Sequence, residues 1–178
     1  MKHIILIGFK HTGKSAIGAK LAESLNIQHV DLDDKVEQLH QEQSGEFLSC
    51  RQIGFDKGME TVRRLEQEAL HKVVLSGTQQ VISVGGGTPL SEHNREIIKQ
   101  HTVIHVTAPR GIVFERIMVN GKPAFFPENM NPFDAFKQIW DEREPLFESL
   151  AHMTVMNNTS IREAVEEIKS VLPTTCNV

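Results

Sequence analysis

A glycine-rich segment follows directly on an apolar run near the start of the chain. Residues 4–7 are Ile-Ile-Leu-Ile, and residues 8–15 read Gly-Phe-Lys-His-Thr-Gly-Lys-Ser. This matches G-x-x-x-x-G-K-[ST], a loop that wraps nucleotide phosphates between a buried strand and a helix. Glycine lets backbone N–H groups approach a phosphate closely, and the helix N-terminus adds the positive end of its dipole. The segment therefore predicts a strand, a phosphate-binding loop and a helix in that order.

The loop residues have distinct expected roles. We expect Lys14 to neutralise the β- and γ-phosphates of ATP, and the Ser15 hydroxyl to bind Mg²⁺. The predicted contacts to ATP within the loop are His11, Thr12, Gly13, Lys14, Ser15 and Ala16. Apolar residues in 16–25 recur at helical spacing, which supports a nucleotide site over a strand–helix turn that binds no ligand.

Strands and helices alternate along the remaining chain. The predicted strands are residues 27–33, 81–84, 102–107 and 153–156, and the predicted helices are 16–25, 34–43, 58–76, 91–100, 109–119, 132–150 and 160–172. This alternation predicts one α/β domain over 1–178, with three α/β/α layers around a parallel sheet of about five strands. Ligands of such sheets bind at the carboxyl ends of the strands, where the carboxylates of residues 31 and 33 and the glycines of 85–87 fall.

The composition argues against a nucleic-acid-binding, membrane-spanning or secreted protein. The formal net charge of −4 and the lack of a basic stripe argue against a nucleic-acid partner. No apolar run approaches the roughly 20 residues that span a bilayer, and no signal peptide is expected. Cys50 and Cys176 form no CxxC pair, as is typical of a reducing cytosol. We predict a cytoplasmic monomer without a membrane partner. Its nine histidines show no metal-binding spacing and are expected mostly at the surface.

Five motifs together resemble the shikimate kinase family, within the P-loop kinases shaped like nucleoside monophosphate kinases. They are the loop of 8–15, Asp-Leu-Asp at 31–33, Gly58 followed by Val-Arg-Arg-Leu-Glu at 62–66, Gly-Gly-Gly at 85–87 with Asn-Arg at 94–95, and Arg-Glu-Pro-Leu-Phe at 143–147. They cover nearly the whole chain. The resemblance implies transfer of the γ-phosphate of ATP to the 3-hydroxyl of shikimate, with Mg²⁺ as the metal.

The resemblance also implies roles for an acidic pair. Asp33 would contact the acceptor hydroxyl and take its proton, and Asp31 would hold Mg²⁺ through water. We expect the two carboxylates to lie on one face of a strand, two positions apart. The alternative is that they end a strand and cap the next helix, a task that Asp34 could perform alone.

Two arginines match those that grip the carboxylate of shikimate in the family, namely Arg63 and Arg143. A guanidinium suits this task because it binds a carboxylate bidentately. Arg64 is an alternative to its neighbour, but Glu66 lies one turn after Arg63 and could orient it. The glycines Gly85, Gly86 and Gly87 resemble those whose backbone approaches the substrate ring.

Two segments are expected to shape the site, an acceptor-binding insert at about 33–66 and a mobile lid at about 112–130. The family places an arginine before a proline in the lid. Here Lys122 precedes Pro123, so we expect Lys122 to contact ATP and assist catalysis. His11 stands where the family usually carries glycine, and it costs about 1 kcal/mol if its φ is positive.

Two other functions remain open from the sequence. The two arginines would also fit gluconate or a nucleoside monophosphate as the acceptor, because each carries a carboxylate or a phosphate. A nucleotide-binding regulatory module without transferase activity is the alternative of another class. The presence of every core catalytic residue favours the kinase.

Overall fold

The computed structural model describes residues 2–172, and Cys176 therefore lies outside the described residues. Its sheet consists of β1 Ile4–Ile7, β2 Gln28–Asp31, β3 Gln80–Ser83, β4 Thr102–Thr107 and β5 Met153–Met156. The strands pair in parallel in the order β2-β3-β1-β4-β5. The predicted five-stranded parallel sheet is confirmed.

Helices cover both faces of this sheet. They are α1 Lys14–Leu25, α2 Leu32–Ser44, α3 Cys50–Asp56, α4 Met59–Val74, α5 Glu92–Ile98, α6 Arg110–Val119, α7 Pro132–Leu150 and α8 Ile161–Val171. One apolar core lies between the sheet and the helices α1 and α8, and a second core lies between its other face and α2, α4, α6 and α7. This arrangement gives the three layers that the alternation of elements predicts.

The central strand β1 explains why the chain begins with an uninterrupted apolar run. Ile4 and Leu6 pack into the core beneath α1 and α8, whereas Ile5 and Ile7 pack into the core on the opposite face. All four side chains are fully buried. Because both faces of this strand are covered, its residues are all apolar. A strand with one face in solvent would instead alternate apolar and polar residues.

The predicted strand over 27–33 is too long, because β2 ends at Asp31 and α2 begins at Leu32. The Asp31 side chain accepts a hydrogen bond from the backbone N–H of Asp33, at 3.1 Å, and so caps the helix. Asp33 and Asp34 then lie in the first helical turn, where the dipole favours negative charge. The expectation that the acidic pair shares one face of a strand is therefore wrong.

The structure also defines a helix within residues 46–57 and differs from the expectation for the histidines. Residues 46–57 contain α3, which begins with a capping box between Ser49 and Gln52. The prediction that most histidines lie at the surface is wrong, since only three of the nine are exposed and four are buried, namely His3, His40, His101 and His105. A buried ring nitrogen can find a partner in a backbone carbonyl, as His3 Nε2 does 3.1 Å from the carbonyl oxygen of Val74.

Candidate active site

Two adjoining cavities open at the carboxyl edge of the sheet. The phosphate cavity is lined by the loop residues Lys10, His11, Gly13, Lys14, Ser15 and Ala16, and from other elements by Asp31, Asp33, Gly85, Gly86, Arg116 and Asn120. The acceptor cavity lies beside it. Seven of its lining residues belong to the segment 33–66, and Gly87, Pro123, Ala124, Phe125 and Arg143 also line it.

The phosphate loop holds a strained turn that is fixed from outside. His11 has φ 64°, so the cost of about 1 kcal/mol expected for a left-handed residue applies here. Its carbonyl accepts a hydrogen bond from Arg116 Nη1 at 3.0 Å. Asn157 Nδ2 donates to the carbonyl of Thr12 at 2.8 Å. The Thr12 side chain is buried, with its hydroxyl donating to a loop carbonyl, so this residue packs the loop rather than lining the cavity.

Lys14 lies at the centre of this loop and is buried. Its ammonium donates to the carbonyls of Gly8 and Phe9, at 3.1 and 2.8 Å. Burial lowers the pKa of Lys14 to about 8, although Asp33 and Asp31 favour its charged form. Among the described residues, the hydrogen-bond partners of this ammonium are neutral carbonyls, so phosphate oxygens would be stronger partners for it.

Ser15 and Asp31 place two hard oxygens side by side. The Ser15 hydroxyl donates to Asp31 Oδ2 at 2.5 Å. Within residues 2–172 no group of three or more His, Cys, Asp and Glu side chains could hold a metal. Mg²⁺ is commonly held by one or two protein oxygens together with phosphate oxygens and water. The donor set therefore fits a magnesium ion that arrives with a nucleotide.

Asp33 lines both cavities from the first turn of α2. Burial, with the nearby charges of Asp31 and Glu66, raises the pKa of Asp33 to about 6, and Lys14 and Lys10 limit the increase. A carboxyl group with a pKa near neutrality is well suited to general base catalysis. Its helical position brings it to the junction of the cavities without the strand geometry that the sequence predicts.

Arg63 enters the acceptor cavity from α4 and pairs with the buried carboxylate of Glu66. Glu66 also accepts a hydrogen bond from Thr88 Oγ1 at 3.0 Å, which fixes the carboxylate in turn. A Cβ atom at Gly87 would overlap the guanidinium of Arg63, so only glycine leaves it room. Arg64, by contrast, is exposed and does not line the cavity.

Arg143 reaches the same cavity from α7, and within residues 2–172 it forms no ion pair. Its guanidinium lies 5.0 Å from the ring centre of Phe125 and 5.8 Å from that of Phe9. Its Nη1 donates to the carbonyl of Gly86 at 3.4 Å. Burial, and then the charge of Arg63, lower its pKa to about 10. A largely buried cation with only neutral partners is a suitable site for an anionic ligand.

The three consecutive glycines after β3 make room for protein atoms. A Cβ at Gly85 would lie 2.8 Å from Asp33 Oδ1, and one at Gly86 would lie 3.1 Å from the backbone nitrogen of Lys10. Together with Gly87, they let a carboxylate, the phosphate loop and a guanidinium meet around one turn. Their approach to a substrate ring remains a prediction.

The lid segment lies against α3. Arg51 donates through Nη2 to the carbonyl of Lys122 at 3.0 Å, and through Nη1 to the carbonyl of Asn120. The Lys122 ammonium donates to the carbonyls of Pro127 and Glu128, at 2.9 and 3.2 Å. Lys122 thus lines neither the phosphate cavity nor the acceptor cavity. Its contact with ATP stays a prediction that needs this side chain to turn.

Three cations at the site escape the sequence reasoning, namely Lys10, Arg51 and Arg116. Lys10 occupies a variable position of the phosphate-loop motif. Its place inside that motif, four positions before Lys14, is the sequence signal that could have indicated a position at the site. Arg51 and Arg116 reach the site through contacts with residues 71 and 105 positions away, which no local pattern indicates.

Comparison with known proteins finds shikimate kinases among the relatives of this chain. The family model described as shikimate kinase matches residues 11–173. A shikimate kinase of Aquifex aeolicus is 34% identical over 166 residues, covering 93% of this chain and 92% of that protein. A shikimate kinase 2 of an Enterobacter species is 32% identical over 181 residues, covering 97% of both.

A solved structure shares the fold across nearly the whole chain. The shikimate kinase from Acinetobacter baumannii in complex with shikimate superposes with a TM-score of 0.81, covering 96% of this chain and 92% of that one. Its sequence identity is 24%, so this likeness concerns the fold alone. The family match and the two sequence relatives carry the assignment. The chain belongs to the shikimate kinase family.

Proposed function

We propose that this protein transfers the γ-phosphate of ATP to the 3-hydroxyl of shikimate, giving shikimate 3-phosphate and ADP. The observation that carries this proposal is the pair of guanidinium groups of Arg63 and Arg143 in a cavity that also contains Asp33. That cavity adjoins the phosphate loop, and the two share Asp33. An acceptor that carries both a carboxylate and a hydroxyl fits this arrangement of charges.

Enzymes accelerate phosphoryl transfer mostly by positioning the reactants and neutralising the charge of the phosphates. Arg63 and Arg143 bind the acceptor carboxylate and direct its hydroxyl toward Asp33. The bond between the γ-phosphorus and the bridging oxygen of ATP breaks, and its electron pair leaves on ADP. The acceptor oxygen bonds to the γ-phosphorus, and its proton goes to Asp33. Lys14 neutralises charge on the β- and γ-phosphates.

Mg²⁺ is part of the proposal, and Ser15 and Asp31 would hold it. When bound, the ion supplies additional positive charge to the phosphates of ATP. The remaining contacts to ATP would come from the loop and, once its side chain has turned, from Lys122. We further propose that the protein is cytoplasmic, since two cysteines without a CxxC pair suit a reducing compartment, and that it is a monomer. Sedimentation analysis of the purified protein tests the monomer.

A coupled assay of ADP release tests the function. Shikimate, gluconate and AMP are each added to the protein with ATP and Mg²⁺, and Lys14→Met is the inactive control. We expect rapid ADP release with shikimate alone among the three. A strong rate with gluconate or AMP and none with shikimate would refute the acceptor. Tight ATP binding without release for any acceptor would favour the regulatory module.

A further inference from the structure

Lys10 lies where the cavities of the active site meet. It lines the phosphate cavity with Lys14 and also lines the acceptor cavity with Arg143. A third cavity, between the phosphate loop and the lid, is bordered by Lys10 and Arg51. The residues common to the phosphate and acceptor cavities are Lys10, Asp33, Gly85 and Gly86. Lys10 is thus the one cation that these two cavities share within the described chain.

Its ammonium also differs from those of the other cations. Five further lysines and arginines line the phosphate or acceptor cavity, and each donates a hydrogen bond to protein atoms: Lys14, Arg51, Arg63, Arg116 and Arg143. Within residues 2–172, the ammonium of Lys10 makes no hydrogen bond and no ion pair. It is close enough to Asp33 and Lys14 to affect the ionisation of both side chains.

The backbone of Lys10 is fixed although its side chain is free. The preceding Phe9 is buried and stacks on Trp140, with ring centres 5.0 Å apart. On the other side, the backbone nitrogen of Lys10 packs closely against Gly86. The flexible four-carbon stem therefore starts from a rigid point and carries a charge that no group within residues 2–172 holds.

We propose that Lys10 is a further catalytic residue, whose ammonium donates a hydrogen bond to a non-bridging oxygen of the γ-phosphoryl group during transfer. The γ-phosphoryl group passes from the bridging oxygen of ATP, which leaves as ADP, to the acceptor oxygen. It thus moves from the phosphate cavity toward the acceptor cavity, and Lys10 borders both. A donor at the junction stabilises charge on the equatorial oxygens at the transition state more than on bound ATP. The proposal deepens the proposed function and rests on it.

The test is Lys10→Met, which keeps the stem length and removes the charge. The matched control is Lys20→Met, because Lys20 is exposed on α1 and pairs only with Glu23 in the structure. Turnover is measured at pH 7, above the pKa of about 6 of Asp33 and below the pKa of about 8 of Lys14, so that both groups are mainly charged in the wild type. We expect kcat to fall about a hundredfold in Lys10→Met, as is typical for the loss of one preorganised donor. Lys20→Met should stay within twofold of wild type.

A second measurement separates transition-state stabilisation from ground-state binding. ADP binding is compared with binding of ADP plus aluminium fluoride, which mimics the transferring phosphoryl group. Lys10→Met should bind ADP within threefold of wild type and the aluminium fluoride complex about a hundredfold more weakly. Lys10→Arg should recover part of the loss. Turnover of Lys10→Met within threefold of wild type, or an equal loss for ADP and for the complex, would overturn the proposal.

Folding and acceptor identity are controlled separately. We expect an unchanged melting temperature for Lys10→Met because its ammonium has no partner to lose within residues 2–172. Should this variant fail to fold, Lys10→Gln is judged by the same criteria. Absence of shikimate-dependent turnover in the wild type would refute the acceptor alone, and the Lys10 comparison would then use the acceptor that the panel identifies.

Discussion

Replacing Asp33 with asparagine should stabilise the ligand-free protein at pH 8 while removing most of its turnover. The carboxylate lies in a partly buried position beside Asp31 and Glu66, and this environment raises the pKa of Asp33 from 3.8 to about 6. The folded protein therefore binds a proton at this site more tightly than the unfolded chain does. Keeping the group ionised costs folding free energy, which a neutral amide of the same shape avoids.

The size of the effect follows from the two pKa values. A separation of about 2 pH units corresponds to about 3 kcal/mol at pH values above 6. Because the folded pKa is raised, the stability that the protonated group contributes is complete below pH 3.8 and is lost as the pH rises through 6. The figure is an upper limit, since partial exposure of Asp33 lets water screen its charge. For a chain of this size the melting temperature would rise by at most about 10 °C.

Urea unfolding of wild type and Asp33→Asn at pH 4 and pH 8 measures this difference. We expect a gain below about 1 kcal/mol at pH 4 that grows toward about 3 kcal/mol at pH 8. Asp34→Asn is the matched control, because Asp34 is exposed in the same helical turn and should change stability by less than about 0.5 kcal/mol. A gain independent of pH, or a loss of stability at pH 8, would refute the reasoning.

Three further predictions concern the acceptor cavity. Arg143→Ala should weaken shikimate binding by about 2–4 kcal/mol and leave ATP affinity within twofold, and equal shikimate affinity in a calorimetric titration would remove Arg143 from the site. Gly87→Ala should fold, because the overlapping guanidinium of Arg63 can move, but its KM for shikimate should rise; an unchanged KM would contradict the close fit seen here. The kcat/KM for shikimate should increase with pH through about 6 as Asp33 ionises, and a flat profile between pH 5 and 7 would exclude it as the base.

The sheet was predictable because each strand carries its own signal. Four consecutive apolar residues in β1 have no explanation other than burial on both faces, and the motif that follows them sets the position of α1. The end of β2 was not predictable from apolar pattern alone. There the Asp31 side chain accepts a hydrogen bond from the backbone N–H of Asp33 and caps a helix, so the strand ends two residues earlier than expected.

The site was only partly predictable, for a different reason. Arg63 and Arg143 lie 80 positions apart in the chain, and their assignment depended on resemblance to a family rather than on any local spacing. Buried histidines such as His105 escaped because burial is decided by packing between distant elements. The hydrogen bond from Arg116 to the carbonyl of His11 escaped for the same reason, since it joins α6 to a loop 105 positions earlier in the chain.

Most of the cations at the site donate hydrogen bonds to uncharged backbone carbonyls. Lys14 donates to loop carbonyls, and Arg143 lies against aromatic rings and one carbonyl. Of the cations that line these cavities, Arg63 alone pairs with a carboxylate within residues 2–172, that of Glu66. Burial withdraws these two cations from water, which is the main reason why the pKa of Lys14 and that of Arg143 are both lowered. An anionic phosphate chain and an anionic acceptor would offset this cost when they bind, so the arrangement of cations favours the ligands that the reaction requires.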